Sequence, residues 1–120
     1  MIRTVMIVDD STFMRKILRT ILTEKGYTVA AEATTGIEAM KNLHTHRPDV
    51  ILLDIILPDS NGFNLLESII TACPDSRIVV CSSIGDAQVI RKSLDLGAKA
   101  FLQKPVTPEK MAEVLASLED

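Results

Sequence analysis

Five short apolar runs alternate with five stretches of helical period along this chain, and that alternation restricts the fold more than any other feature. The runs lie at about Thr4 to Val8, Thr28 to Ala33, Val50 to Leu53, Arg77 to Cys81 and Ala100 to Gln103. No repeat, low-complexity tract or linker interrupts them. A β-α unit written five times predicts an α/β domain: a doubly wound, five-stranded parallel sheet with helices on both faces. The third and fourth runs are nearly all apolar, as strands covered on both faces should be. With 120 residues the chain has the size of one domain. A chain of that length buries roughly two-thirds of the surface its unfolded form exposes.

The helical stretches carry their own punctuation. Met14, Ile17, Leu18, Ile21 and Leu22 form one apolar stripe, with Ser11 or Thr12 as its cap and Gly26 as its stop. Met111, Val114, Leu115 and Leu118 repeat the pattern behind Thr107 as cap and Pro108 in the first turn. Three further helices are predicted at about Gly36 to Leu43, Phe63 to Ala72 and Asp86 to Leu96. In the fourth helix, Ala87, Ile90 and Leu94 lie on one side of the wheel and Val89 and Leu96 on another. Only one side can face the sheet, so the other is expected to form an apolar strip for a partner.

Composition narrows the function. Thirteen basic against sixteen acidic residues give a net charge of -3, with no block of like charge. That is no nucleic-acid footprint, and three Phe, one Tyr and no Trp leave few bases for stacking. Cys73 and Cys81 stand eight apart, outside any CxxC spacing, and read as buried small hydrophobes in a reducing cytosol. No apolar stretch approaches a membrane span and no signal peptide opens the chain, so a soluble cytoplasmic protein is expected. His44 and His46 sit beside Arg47-Pro48 at a helix end, where solvated histidines suit the dipole better than a metal site.

The chemistry gathers at the ends of the runs. Asp9 and Asp10 close the first, Asp54 the third, Ser82 the fourth, and Lys104 follows the fifth before Pro105. In an open parallel sheet such ends share one edge, where ligands bind. Each carboxylate pair at 4 Å repels by roughly 1 kcal/mol in water, and about four times that at the effective dielectric near a protein surface. Such a cluster needs a cation, a proton, or both. Taken singly, an acidic residue after a strand is a turn or cap residue; the combination with Asp54 and Lys104 is what speaks for a site.

Asp9-Asp10, Asp54 followed by Leu57-Pro58 and Gly62, Ser82, and Phe101 three before Lys104-Pro105 together resemble response-regulator receiver domains of the CheY-like kind. The likeness spans essentially the whole chain, and the stretch Asp9 to Arg15 also resembles the chemotaxis branch. The resemblance implies a flavodoxin-like sheet in the order 2-1-3-4-5. It implies that Asp54 is the phosphoacceptor, that Asp9 and Asp10 hold Mg2+, that Ser82 bonds the phosphoryl group and that Lys104 pairs with its charge. Ser82 is preferred to Ser83 because its 22-residue separation from Lys104 matches the family. Mg2+ prefers oxygen, takes few protein carboxylates and keeps several waters. That suits Asp10, Asp54, the backbone carbonyl of Ile56 and a water held by Asp9; no imidazole or thiolate is expected nearby.

Phe101 takes the place of an aromatic switch residue that is frequently Tyr, so here the switch would rest on packing alone. Ile56, two after Asp54, and Ile84, two after Ser82, occupy positions that tune phosphoryl hydrolysis in the family. The implied function is a two-component switch. A sensor histidine kinase phosphorylates Asp54, and the face made by the fourth helix, fifth strand and fifth helix changes its affinity for a downstream protein, with Ile90, Leu94 and Phe101 as contacts. The protein is expected to support its own phosphorylation and dephosphorylation without being a conventional enzyme, and to be a monomer or a phosphorylation-dependent dimer. With 1–120 read as a single receiver domain and no effector following, output through protein binding is expected; a receiver trimmed from a longer DNA-binding regulator is the alternative. A phosphatase of the haloacid dehalogenase type would need a second Asp where Ile56 stands. A flavin or cobalamin module would need a Gly-rich phosphate loop or a His ligand, and neither is present.

Overall fold

Alternation along each strand assigns side chains to the two faces of the sheet. In the computed structural model, which describes residues 1–119, the elements follow in the order β1 (Thr4–Val8), α1 (Thr12–Glu24), β2 (Thr28–Ala33), α2 (Gly36–His46), β3 (Val50–Leu53), α3 (Gly62–Ala72), β4 (Arg77–Ser82), α4 (Ala87–Asp95), β5 (Ala100–Gln103) and α5 (Pro108–Leu118). The five strands form one sheet in the order β2-β1-β3-β4-β5, every neighbouring pair parallel. This is the doubly wound, flavodoxin-like arrangement the sequence predicts.

Met6 and Val8 of β1, Ile51 and Leu53 of β3, and Ile78 and Val80 of β4 face one layer, where Ala39 and Leu43 of α2 and Leu66 and Ile69 of α3 cover them. Val5 and Ile7, Val50 and Leu52, and Val79 and Cys81 face the other, under Leu18 and Leu22 of α1 and Met111 and Leu115 of α5. Both cysteines are free and buried. Among the described residues no helix is long and apolar enough to cross a membrane.

The caps follow the sequence signals. Ser11 Oγ accepts Met14 N–H at 3.1 Å to open α1, and Gly26 takes φ 91° just past its end, a conformation open to glycine at little cost. Thr107 caps α5, with Pro108 in the first turn. Helix α2 runs further than the apolar pattern suggests, through the exposed His44 and His46, until Arg47 turns left-handed at φ 42° ahead of Pro48. Strand β4 likewise extends one residue beyond Cys81 and takes in Ser82. The two faces of α4 are resolved: Val89 and Leu96 pack toward the sheet beside the buried Ser93, while Ala87, Ile90 and Leu94 turn outward.

The amino edge of the sheet is tied by one carboxylate. Asp49 Oδ2 accepts Arg3 N–H at 2.8 Å, Thr4 N–H at 3.0 Å and the Thr4 hydroxyl at 3.3 Å, and Arg77 N–H donates to the Asp49 carbonyl. The backbone donors of Thr4 and Arg3 hold its carboxyl below the ordinary value of 3.8. A depressed carboxyl stabilises the fold at pH values above its unfolded pKa, and the gain disappears as pH falls through the folded value. Asp49→Ala should therefore cost about 1–2 kcal/mol at pH 7, a hydrogen-bonded charge discounted for partial exposure. In urea denaturation the gap from wild type should narrow as pH is lowered below about 4.

Candidate functional site

Asp9, Asp54 and Lys104 are placed by continuing the parallel ladder one step past a strand. Asp9 N–H donates to the Ala33 carbonyl at 3.0 Å, Asp54 N–H to Val8 at 2.9 Å, and Lys104 N–H to Ser82 at 2.9 Å. These bonds align the carboxyl ends of all five strands along a common edge. There Lys104 Nζ donates to Asp9 Oδ2 at 2.6 Å and to Asp54 Oδ2 at 2.9 Å. Asp9 is 1% exposed and Asp54 7%, so both pairs sit largely out of water. Burial works to lower the lysine pKa, yet its hydrogen bonds to Asp9 and Asp54 and their charges prevail, holding it above the usual 10.5. Lys104 stays an ammonium throughout the physiological range.

The remaining carboxylate oxygens are also directed. Asp9 Oδ1 accepts Ser11 N–H and Asp54 Oδ1 accepts Ile56 N–H, each at 2.9 Å. Asp10 is exposed, and one ligand oxygen from each of Asp9, Asp10 and Asp54 lies within 4.8 Å of the others. Three carboxylates and one ammonium carry a formal charge of -2, opposite to that of a divalent cation. The all-oxygen donor set, with one side open to water through Asp10, fits Mg2+.

A sulfur does lie close: the Cys81 thiol is under the electrostatic influence of Lys104, Asp9 and Asp54, but burial pushes its pKa up to about 12. It stays a thiol, and soft-metal chemistry gains nothing from it.

Ser82 is fully buried, and its Oγ accepts Ile84 N–H at 3.2 Å, leaving the hydroxyl hydrogen free to donate elsewhere. The neighbouring Ser83 is exposed. Ile56 and Ile84 stand 50% and 43% exposed on the loops that follow Asp54 and Ser82. Phe101 is half-buried on β5 and lines, with Ile90 and Leu94, a groove of about 790 Å³ between α4, β5 and α5.

Two residues escaped sequence reasoning. Asp59, in the loop after Asp54, accepts Gly36 N–H at 2.8 Å and Ile37 N–H at 3.2 Å, so it caps α2 from a different loop. The Gly36 donor holds its carboxyl below the ordinary range. Nothing local in the sequence announces a cap 23 residues away from the helix it serves. Arg15 donates through Nη1 to the Asp9 carbonyl at 2.8 Å. Its place on α1, six after Asp9, was the one available signal.

A flavodoxin-like sheet with acidic side chains and a lysine at its carboxyl edge defines a receiver-type module, and the similarity to known proteins agrees. The chain belongs to the response regulator receiver domain family, whose model matches residues 5–116. It is similar to the chemotaxis protein CheY of Thermotoga maritima, 39% identical over 113 residues covering 94% of each chain. It is also similar to that of Bacillus subtilis, 33% identical over 115 residues covering 96% of each. Among solved structures it resembles the CheY of a CheX-CheY-BeF3-Mg2+ complex from Borrelia burgdorferi, with a TM-score of 0.93 and 32% identity over 97% of this chain and 88% of that one. Receiver domains of this kind are signalling switches.

Replacing Lys104 by Met should expose what the lysine balances. Two mostly buried carboxylates would lose their partner, and the variant should be less stable by about 2–4 kcal/mol in metal-free buffer. Millimolar Mg2+ should restore part of that loss, and raise the melting temperature of the variant more than that of wild type, as calorimetry with and without the cation would show.

Proposed function

We propose that this protein is a phosphorylation-driven signalling switch in which Asp54 accepts a phosphoryl group from a sensor histidine kinase. The observation that carries this reading is the meeting of Asp54 with Asp9, Asp10 and the Lys104 ammonium at one sheet edge. A carboxylate attacks phosphorus only where its charge and the phosphoryl charges are offset. Asp9, Asp10, Asp54 and the Ile56 backbone carbonyl would hold Mg2+, which when bound supplies positive charge to the transferring phosphoryl oxygens. An Asp54 oxygen forms the new P–O bond as the P–N bond to the donor imidazole breaks, and the donor ring, protonated on its other nitrogen, takes the bonding pair and leaves as neutral imidazole. Lys104 balances the acyl phosphate, and the free Ser82 proton is donated to one of its oxygens.

In turning to the phosphoryl group, the Ser82 hydroxyl gives up Ile84 N–H. The β4–α4 loop is then released, and half-buried Phe101 packs into the space vacated. The readout is the groove beside Ile90, Leu94 and Phe101, offered to a downstream protein or a second phosphorylated copy. The size of the response is bounded by how differently the phosphoryl group interacts with the two states. CheY relatives aligned along nearly their whole length support a chemotaxis role, acting in the cytoplasm, with output by protein contact from a single receiver domain. The Borrelia burgdorferi neighbour was solved with the protein CheX, which supports a protein partner over a nucleic acid. A haloacid dehalogenase type of phosphatase is disfavoured, because Ile56 cannot act as its general acid.

Incubation with Mg2+ and acetyl phosphate should add one phosphoryl group by intact mass, labile to base. Asp54→Asn and chelation should each abolish it, and an unmodified wild type would count decisively against the switch. Lifetime is the second readout. Two branched apolar side chains neither orient nor admit an attacking water, so Ile56→Asn and Ile84→Glu should each hasten dephosphorylation by about three- to tenfold, a modest share of what a positioned polar group contributes to proton transfer. Equal or slower loss from both variants would show that the two isoleucines only pack.

A further inference from the structure

We propose that Arg15 is a positioning residue for the divalent-cation pocket, acting through the Asp9 carbonyl and held in place by Glu32. The inference rests on the switch reading above and extends it to residues that touch neither phosphoryl group nor cation.

The peptide that joins Asp9 to Asp10 sets the relative aim of two of the three carboxylates, since its plane fixes ψ of the first and φ of the second. Its carbonyl accepts Arg15 Nη1 at 2.8 Å. The same guanidinium reaches Thr12 Oγ1 through Nη2 at 3.4 Å and Glu32 Oε1 through Nε at 3.2 Å. Arg15 thus ties the β1–α1 loop to helix α1 and to β2 at once. Its side chain is 15% exposed, unlike a solvated surface ion pair. Glu32 is fixed in turn: Arg19 Nη1 donates to its Oε2 at 2.6 Å, and Asn42 Nδ2 to its backbone carbonyl at 3.2 Å. Only a planar fork with several donors can serve a carbonyl, a hydroxyl and a carboxylate together; a lysine is a single point.

The electrostatics sharpen the assignment. A guanidinium this close to the cation pocket opposes a cation by its charge, so any benefit it brings must come through position. Glu32 serves twice, by holding Nε and by offsetting that charge. Asp10, exposed and set by its backbone, is the carboxylate whose aim depends most on the tie.

Charge and position predict opposite signs for Arg15→Met. Titration calorimetry with Mg2+ should show binding weaker by about tenfold, the low end of the effect of removing a group that orients metal ligands. Glu32→Gln should weaken it by about threefold, because the ion pair that holds Nε at 3.2 Å loses its charge. In the metal-free protein, exchange of the Ser11 amide, which is bonded to Asp9 Oδ1, should quicken in Arg15→Met. Phosphoryl uptake by both variants should return to the wild-type extent once Mg2+ is raised in proportion. Equal or tighter Mg2+ binding by Arg15→Met would overturn the proposal, because lost charge alone gives that result. Unchanged binding by Glu32→Gln would remove Glu32 from it and stands even if Arg15→Met does not fold. A wild type that binds no Mg2+ and takes no phosphoryl group would instead defeat the switch reading itself.

Discussion

Asp9 and Asp54 end adjacent strands, and the ammonium that keeps them together arrives from β5, beyond β4. At an effective dielectric of about 20, two carboxylates at 4 Å repel by roughly 4 kcal/mol, while each ammonium contact near 2.8 Å attracts by roughly 6. These are gross terms, before the desolvation of Lys104, but their order decides the matter: the lysine more than offsets the repulsion between its two partners. It leaves Asp10 uncompensated and exposed. The edge is therefore stable without a metal and still holds a formal charge suited to one.

That balance depends on backbone features away from the charges. Lys104 reaches both carboxylates because its own N–H is locked to Ser82, and Ser82 is locked into β4. The Asp54 loop turns sharply enough for Ile56 to bridge back to Asn61, which it can do only over a residue without a side chain. A Cβ on Gly62 would collide with the Ile55 carbonyl. Asp59 then ties the outer end of the same loop to the start of α2. The contacts that hold the pocket also quiet it, since both Asp54 oxygens already accept hydrogen bonds, one from Lys104 and one from Ile56 N–H. A reacting carboxylate must give up part of that satisfaction.

Local signals carried most of this fold. Strands β1, β2, β3 and β5 coincide with apolar runs; β1 and β3, buried on both faces, have little choice of residue. Ser11, Thr107 and Gly26 act as read, since capping is settled within a few residues. Asp9, Asp10, Asp54, Ser82 and Lys104 were legible as a set because strand ends in a parallel sheet share an edge. Four features were not. The extension of α2 to His46 depends on a left-handed Arg47 that no propensity favours. The Asp59 cap and the Arg15 tie join segments distant in sequence, and only the packed chain brings them within hydrogen-bond reach. Cys81 lies near the site because its face of β4 turns toward α1 and α5, a register that periodicity suggests without giving distances.

Helix α4 is anchored differently from its neighbours. Helices α1, α2, α3 and α5 each bury at least one large aliphatic side chain completely, whereas the only fully buried residue of α4 is Ser93, whose hydroxyl bonds back to the Val89 carbonyl at 2.8 Å. Val89 and Leu96 contribute partial burial, and Leu94 stands 44% exposed on the far side. Fewer buried apolar contacts mean a lower free energy for local displacement. The helix opens on Asp86, and the loop before it is held by Ile84 N–H on Ser82 Oγ and by close packing of Gly85 on the Gln103 side chain. A change at the Ser82 hydroxyl therefore acts first on the loop that leads into the helix with the weakest grip on the sheet. The same helix presents Ile90 and Leu94 to the groove beside Phe101. A modest rearrangement at a rigid sheet edge would in this way reach the surface by the least costly route the packing provides.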